Sequence, residues 1–159
     1  MLLLPWDDDQ ELANLLSGSL VIWRDWMSTE ACRNAAEAMR SRGSGDWQTW
    51  KVVRRFGCEL VGAVELHSFE EEHGSCEIGY WANPLWTGRG LMTEAVQKAL
   101  KMAWTQPKVR QIRALCDLRN GPAQRLAERA GMIRGQTLFN GGRDVAGCLC
   151  DLVVYHAMR

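Results

Sequence analysis

A loop with two glycines before an amphipathic helical pattern offers the clearest chemistry in this 159-residue sequence. Gly88 and Gly90 flank Arg89, and from Met92 to Ala103 apolar residues recur on one helical face. The first backbone N–H groups of a helix have no intrahelical acceptor, and the helix dipole adds partial positive charge. Because glycines have no side chain to keep a ligand away, this junction predicts a site for phosphate or pyrophosphate.

Two other phosphate-binding motifs are excluded. The dinucleotide fingerprint requires a third glycine three positions after Gly90, where this sequence has Thr93. A Walker A loop requires Gly-Lys-Ser or Gly-Lys-Thr, and neither tripeptide occurs in the chain. Two glycines also fit a tight strand-to-helix turn without a ligand, so both interpretations are open on the motif alone.

The surrounding patterns place this junction in a mixed α/β (α+β) domain. Runs with a period of two predict seven strands, at residues 2–4, 49–55, 59–66, 76–81, 111–116, 133–139 and 149–158. Helical spacing predicts four helices, which begin after Asp9, Ser28, Pro84 and Asn120. Residues 56–57 and 140–142 are typical of hairpin turns. We therefore expect one domain over residues 1–159, with a single central sheet of about seven strands flanked by about four helices.

Composition excludes several other classes of protein. Lys+Arg and Asp+Glu both number 19, so bulk positive charge does not predict direct binding to nucleic acid. No stretch approaches the roughly 18 apolar residues of a membrane span, and the start of the chain lacks a basic leader. The six cysteines follow no disulfide framework, and the Cys148/Cys150 pair lacks further zinc ligands nearby. We expect a cytoplasmic protein with reduced thiols and no metal.

Four segments, taken together, resemble the GNAT N-acetyltransferases, in particular the RimJ/RimL-like branch of ribosomal-protein N-terminal acetyltransferases. They are residues 62–66, 77–81, 86–95 and 120–132, supported by Leu4-Pro5-Trp6 at the start and residues 151–155 at the end. The resemblance covers nearly the whole chain, in the order of the predicted elements. It implies the acyl-CoA N-acyltransferase fold with a mostly antiparallel sheet, and acetyl-CoA as co-substrate.

The resemblance also implies which residues bind acetyl-CoA. Backbone amides of Gly88, Arg89, Gly90, Leu91 and Met92 hold the pyrophosphate, and the Thr93 hydroxyl can add a contact. The strand with Tyr80 and Trp81 diverges from the next strand and opens a slot for the pantetheine arm, which Asn120 hydrogen-bonds.

The sequence departs from the family pattern at two positions. Leu85 replaces the first residue of the Q/R-x-x-G-x-G/A signature, and this forgoes a polar contact. Ala123 stands where several relatives carry a serine near the CoA sulfur, so that candidate acid is absent.

Acetyl transfer to an amine needs a group that removes a proton, and carboxylates are the main candidates. We predict Glu77 as the base, directly or through water, with Glu65 as the second candidate. The alternative roles for Glu77 are an ion pair with an arginine and the capping of a neighbouring loop. Tyr155 is a weaker candidate acid, since a strand tyrosine more often lies in the core. His67 and His73 are candidate proton shuttles.

The acceptor predicted from the resemblance is a primary amine, most plausibly a protein or peptide N-terminus. The alternatives are a small amine (an antibiotic, a polyamine or an amino acid) and a non-catalytic acyl-CoA-binding module, which Leu85 and Ala123 would favour. Four tryptophans would lie on the acceptor side: Trp23, Trp26, Trp47 and Trp50. We expect a monomer or a homodimer.

Overall fold

The computed structural model describes residues 2–5, 48–55, 59–144 and 147–159. Several sequence-based expectations lie outside these residues. They are the helices after Asp9 and Ser28, the turn at residues 56–57, and the positions of Trp23, Trp26 and Trp47.

The described residues contain one seven-stranded sheet in the order β1-β2-β3-β4-β5-β7-β6. All neighbouring strands are antiparallel except β4 and β5, which are parallel. The expected mixed α/β class with a mostly antiparallel sheet is therefore confirmed. The strands are β1 (Leu2–Pro5), β2 (Gln48–Val53), β3 (Leu60–Glu70), β4 (Ser75–Ala82), β5 (Gln111–Asp117), β6 (Ile133–Arg143) and β7 (Leu149–Met158).

Two α-helices lie within the described residues, α1 (Leu91–Ala103) and α2 (Gly121–Arg129), and a short 3-10 helix (Pro84–Trp86) precedes α1. The apolar stripe predicted for α1 is buried. α2 begins as predicted, since the Asn120 side chain accepts a hydrogen bond from the Ala123 amide. Gly131, with a φ of 96°, follows its C-terminus.

Both helices pack on the sheet face that carries Val64, Ile78 and Ile112. The strand period puts alternate residues on the opposite face, and there β3, β4 and β5 carry charged side chains. This second face holds Glu65, Glu77 and Arg113, because Glu65 is registered with Gly79 and Glu77 with Arg113. The two candidate bases, Glu65 and Glu77, therefore share one side of the sheet with Arg113.

The predicted turn at residues 140–142 is wrong, because these residues continue strand β6. Asn140 adopts a φ of 51°, and its amide donates to the Asp151 carboxylate. The register with β7 shifts between Leu138 and Gly142, which is the signature of a bulge. Asparagine tolerates this left-handed conformation, so the same residues that form turns also fit a bulge inside a strand.

The parallel pairing of β4 with β5 extends over only three positions. Ser75, Cys76 and Glu77 are registered with Gln111, Ile112 and Arg113. We call this pairing the seam. Beyond it, Ile78–Ala82 has no registered partner on β5, although these residues stay paired with β3. The two strands therefore diverge as the resemblance implies, and the gap lies between β4 and the first turn of α2.

Gly62 provides a test of how tightly β3 packs against its neighbours. A Cβ at this position would overlap the Trp81 carbonyl oxygen and lie 2.8 Å from Met92 Sδ. Gly62→Ala should therefore destabilise the fold by about 1–3 kcal/mol through overpacking. For a domain of this size we expect Tm to fall by about 3–10 °C in a thermal melt.

Gly121→Ala is the matched control, since its Cβ would meet only the flexible end of Arg125 at the start of α2. Its Tm should stay the same or rise slightly. Equal stability of Gly62→Ala and wild type would show that β3 and β4 separate more easily than the close approach implies.

Candidate active site

The loop before α1 forms an open cradle of backbone amides. Gly88 and Gly90 both have a φ of 74°, and Gly90 is the N-cap of α1 with no side-chain capping bond. A Cβ added at either glycine would meet no atom within 4 Å, so the space beside the loop is clear. The Glu94 amide is the first to bond within the helix, to the Gly90 carbonyl. The amides of Leu91, Met92 and Thr93 precede it and are suited to an anion.

Asn83 fixes the position of this loop, and sequence reasoning did not single it out. Its side chain is buried, donates to the Leu60 carbonyl at 2.9 Å and accepts from the Leu85 amide at 3.1 Å. One amide group thus ties the 3-10 helix to the start of β3. The Asn83-Pro84 dipeptide, a common turn initiator, was the available signal.

Tyr80 links the two sides of the gap. Its hydroxyl donates to the Ala123 carbonyl at 2.9 Å and lies 3.4 Å from Cys116 Sγ. Burial raises the pKa of this phenol well above its usual range, so it stays protonated at neutral pH. Asn120 lies beside the same gap, where its side-chain oxygen caps α2. Trp81 points to the opposite face of the sheet from Tyr80.

Two carboxylates and a histidine meet on the polar face where the seam ends. Glu77 occupies the last registered position of β4, and its Oε2 lies 3.8 Å from His67 Nδ1. Glu65 is buried beneath Gly79, and its Oε1 lies 3.9 Å from His67 Nε2. A side chain at residue 79 would collide with the Glu65 carboxylate, so this glycine makes room for it. His67 therefore stands between the two predicted bases.

Arg113 binds Glu77 from the other side of the seam. Its Nη2 lies 3.3 Å from Glu77 Oε1 and 3.4 Å from Glu70 Oε1, so one guanidinium contacts two carboxylates. Glu70 is further held by the Ser75 hydroxyl at 2.8 Å. The ion pair foreseen as the alternative role of Glu77 is thus present, and it leaves the Glu77 carboxylate beside the gap.

The charge around Glu77 is balanced between opposing effects. Burial raises the pKa of its carboxyl, the Arg113 guanidinium lowers it, and the Glu70 carboxylate raises it again. The pKa of Glu70 itself is lowered by its hydrogen bond from Ser75 and by Arg113. A carboxylate with a raised pKa is a better proton acceptor than an exposed one.

The other two titratable candidates lie apart from this group. Tyr155 is fully buried on the helix-bearing face, and its hydroxyl donates to Glu128 Oε1 at 2.8 Å. Burial and this carboxylate raise the pKa of Tyr155 to about 12. His73 is exposed in the β3–β4 turn, where its ring lies 3.7 Å from Glu70. The structure brings neither residue together with Glu65 and Glu77.

The sequence matches a family model described as an acetyltransferase (GNAT) domain over residues 1–133. The chain belongs to the GNAT acetyltransferase family. It is an acetyl-CoA-dependent N-acetyltransferase, as the resemblance implied.

Two relatives from Bacillus subtilis illustrate the range of similarity. The uncharacterized N-acetyltransferase YjdG is 28% identical over 60% of this chain, and the match spans 56% of YjdG. The putative ribosomal N-acetyltransferase YdaF is 23% identical over 96% of this chain and 86% of its own length. The RimJ/RimL-like similarity is thus confirmed along the chain.

Solved structures share the fold. A putative ribosomal-protein-serine acetyltransferase from Vibrio cholerae has a TM-score of 0.75 at 23% identity, with 95% of this chain and 88% of that chain covered. A spermidine N-acetyltransferase SpeG chimera from Vibrio cholerae and hSSAT has a TM-score of 0.73 at 19% identity, covering 99% and 96%. A RimL structure in complex with coenzyme A has a TM-score of 0.71 at 18% identity, covering 98% and 92%.

Within the part of the chain that the structure describes, no group of three or more His, Cys, Asp or Glu side chains is arranged to hold a metal ion. Neither α1 nor α2 is long and apolar enough to cross a membrane.

The contacts of Glu77 predict how its titration responds to substitution. Arg113→Gln removes the nearby positive charge, so the pKa of Glu77 should rise. Glu70→Gln removes the nearby negative charge, so the same pKa should fall. Carboxyl-carbon NMR titration of the ligand-free protein would measure both directions.

Lys101→Gln, which removes an exposed positive charge from the last turn of α1, should leave the titration of Glu77 unchanged. Shifts of the same sign in Arg113→Gln and Glu70→Gln would contradict the arrangement of charges across the seam.

Proposed function

We propose that this enzyme acetylates the α-amine of a protein or peptide N-terminus, by direct attack with Glu77 as the general base. The observation that carries the proposal is the position of the Glu77 and Glu65 carboxylates where β4 and β5 separate. Support for the acceptor comes from the relatives described as ribosomal and ribosomal-protein-serine acetyltransferases. We further propose that it works in the cytoplasm, where thiols such as those of Cys76 and Cys116 stay reduced.

The residues of the cradle fit acetyl-CoA. The space beside Gly88 and Gly90 is open, and three N-terminal amides of α1 are available for the pyrophosphate. Thr93 can add a hydroxyl, and Asn120, Tyr80 and Trp81 lie along the gap proposed for the pantetheine arm. Acetyl-CoA supplies an activated thioester, whose thiol has a pKa near roughly 8.5 and is a good leaving group. The absence of a hydroxyl at Ala123 is therefore compatible with transfer.

The chain's own contribution to the reaction is proton removal and positioning. An attacking amine must lose a proton as the amide bond forms, and Glu77 accepts it directly or through one water. His67 lies 3.8 Å from Glu77 and 3.9 Å from Glu65, so transfer of the proton to its ring requires a bridging water. Glu65 lies on the other side of the His67 ring from Glu77 and is the second candidate for the base.

An α-amine suits a site with one carboxylate base better than a lysine side chain does. With a pKa of about 7.7–8.0, roughly a tenth of α-amines are neutral at pH 7, against well under a thousandth of lysines at about 10.4. A larger fraction of α-amines is therefore already neutral and can attack without first losing a proton to Glu77.

A small polyamine is the second candidate acceptor. The observation in its favour is the presence of three carboxylates, Glu65, Glu70 and Glu77, near the end of the seam, where the ammonium groups of a polyamine would find opposite charge. The spermidine N-acetyltransferase fold neighbour is in line with this alternative. Parallel assays with N-terminal peptides and with spermidine separate the two acceptors.

Acetyl-CoA should stabilise the fold through the cradle. At a concentration near 100 times Kd the gain is about 2.7 kcal/mol, which predicts a Tm increase of roughly 5–10 °C. Gly90→Val should abolish this increase, because its side chain would enter the open space and a φ of 74° strains a β-branched residue.

Gly131→Val is the matched control, since Gly131 also has a positive φ and open space but lies at the C-terminus of α2. It should lower the stability of the free protein and keep the response to acetyl-CoA. A full response in Gly90→Val would remove the cradle from the proposed site.

The base is tested by Glu77→Gln, which keeps the shape of the side chain and cannot accept the proton. We expect kcat for a peptide acceptor to fall about 10²–10⁴-fold, with little change in the Kd for acetyl-CoA. The acidic limb of the pH profile should disappear or move. Glu71→Gln, in the exposed β3–β4 turn, is the control and should keep wild-type kcat. An unchanged kcat in Glu77→Gln would refute Glu77 as the base.

A further inference from the structure

Two arginines share one tryptophan ring beside the cradle. The guanidinium carbon of Arg54 lies 4.6 Å from the centroid of the Trp86 ring, and that of Arg89 lies 4.7 Å from it. Both distances are within the range of cation–π interactions. We call Arg54, Trp86 and Arg89 the brace. It joins the end of β2 to the glycine loop, two regions more than thirty positions apart in the sequence.

Two members of the brace, Trp86 and Arg54, are held by further contacts of their own. Trp86 is half-buried against the core, at the end of the 3-10 helix that Asn83 anchors. Arg54 Nη1 lies 3.0 Å from Glu59 Oε1, which holds its guanidinium beside the ring. Arg89 would otherwise be a long, freely rotating side chain on an exposed loop. Stacking on Trp86 reduces that freedom and lowers the entropy lost when a ligand binds.

The charges of the two arginines are not equivalent. Glu59 neutralises Arg54, whereas no carboxylate of the described chain forms an ion pair with Arg89. Arg89 also stands next to Gly90, where the N-terminus of α1 adds partial positive charge. Positive charge held against positive charge is unfavourable unless an anion offsets it.

From this geometry we infer that the brace positions Arg89 to bind the ribose 3′-phosphate of coenzyme A. The inference rests on the proposed binding of the pyrophosphate to the amides of the cradle. Once those amides are engaged, the 3′-phosphate is the remaining phosphate group of the ligand. A guanidinium donates two parallel hydrogen bonds to such a group. Arg89 would thus supply a polar contact to the ligand in place of the one that is lost because Leu85 replaces the first residue of the family signature.

The experiment compares coenzyme A with 3′-dephospho-coenzyme A by isothermal titration calorimetry. Arg89→Gln should weaken coenzyme A binding about 10–100-fold, as expected for the loss of a charge-assisted contact, and leave 3′-dephospho-coenzyme A binding unchanged. Arg89→Lys should restore part of the affinity, since it keeps the charge without the fork. Arg54→Gln should give a smaller loss confined to coenzyme A. Lys101→Gln should bind both ligands as the wild type does.

Each outcome separates this inference from its alternatives. Equal losses for both ligands in Arg89→Gln would assign Arg89 to the pyrophosphate and overturn the inference, and no loss for either would also overturn it. If the wild-type protein bound coenzyme A and 3′-dephospho-coenzyme A with equal affinity, the inference would be overturned by that measurement alone. Ligand discrimination in a protein that acetylates no amine would support the inference while the proposed function failed.

Discussion

The shortness of the seam is the constraint on which the rest of the site depends. Parallel strands normally continue to exchange hydrogen bonds along their length, but here β4 and β5 are registered only at Ser75–Gln111, Cys76–Ile112 and Glu77–Arg113. Past Glu77, the edge of β4 that faces β5 is released while its other edge stays bonded to β3. A gap therefore opens within the sheet. The backbone of Ile78–Ala82, which is not registered with β5, lines one side of it, and α2 lines the other. Tyr80 crosses it with one hydrogen bond to Ala123 and so limits how far the walls separate.

The same strand sets the distance between the two halves of the site. Glu77 lies at the closed end of the gap, and five further strand residues, Ile78–Ala82, lead to Asn83 and the glycine loop. At about 3.3 Å per residue, the strand from Glu77 to Ala82 is about 16 Å long. Asn83 donates a hydrogen bond to the Leu60 carbonyl and so fixes the glycine loop at the end of this stretch. The length of β4 thus sets the spacing between the proposed base and the proposed phosphate site.

The sequence could predict the local parts of this arrangement and few of the distant ones. The glycine loop, the buried stripe of α1 and the cap at Asn120 follow from spacing within about a dozen residues, where helix and strand periods apply directly. Arg113 was missed because its contact with Glu77 depends on the parallel register of two strands 36 residues apart. The ring of Trp86 and the guanidinium of Arg54 meet only once β2 lies beside the loop. For Asn140 the residue type was informative but ambiguous, since turns and bulges use the same left-handed conformation.

Strand β6 has a consequence of a different kind, for the behaviour of the protein at high concentration. It is the last strand in the sheet order and is largely solvent-exposed, with Ile133 and Phe139 among its exposed apolar residues. A long, regular edge of this composition would invite edge-to-edge association with other chains. The register shifts between Arg134 and Thr137 and between Leu138 and Gly142 interrupt this edge. Such irregularities disfavour pairing with a flat incoming strand, so the bulge at Asn140 counts against edge-to-edge association along β6.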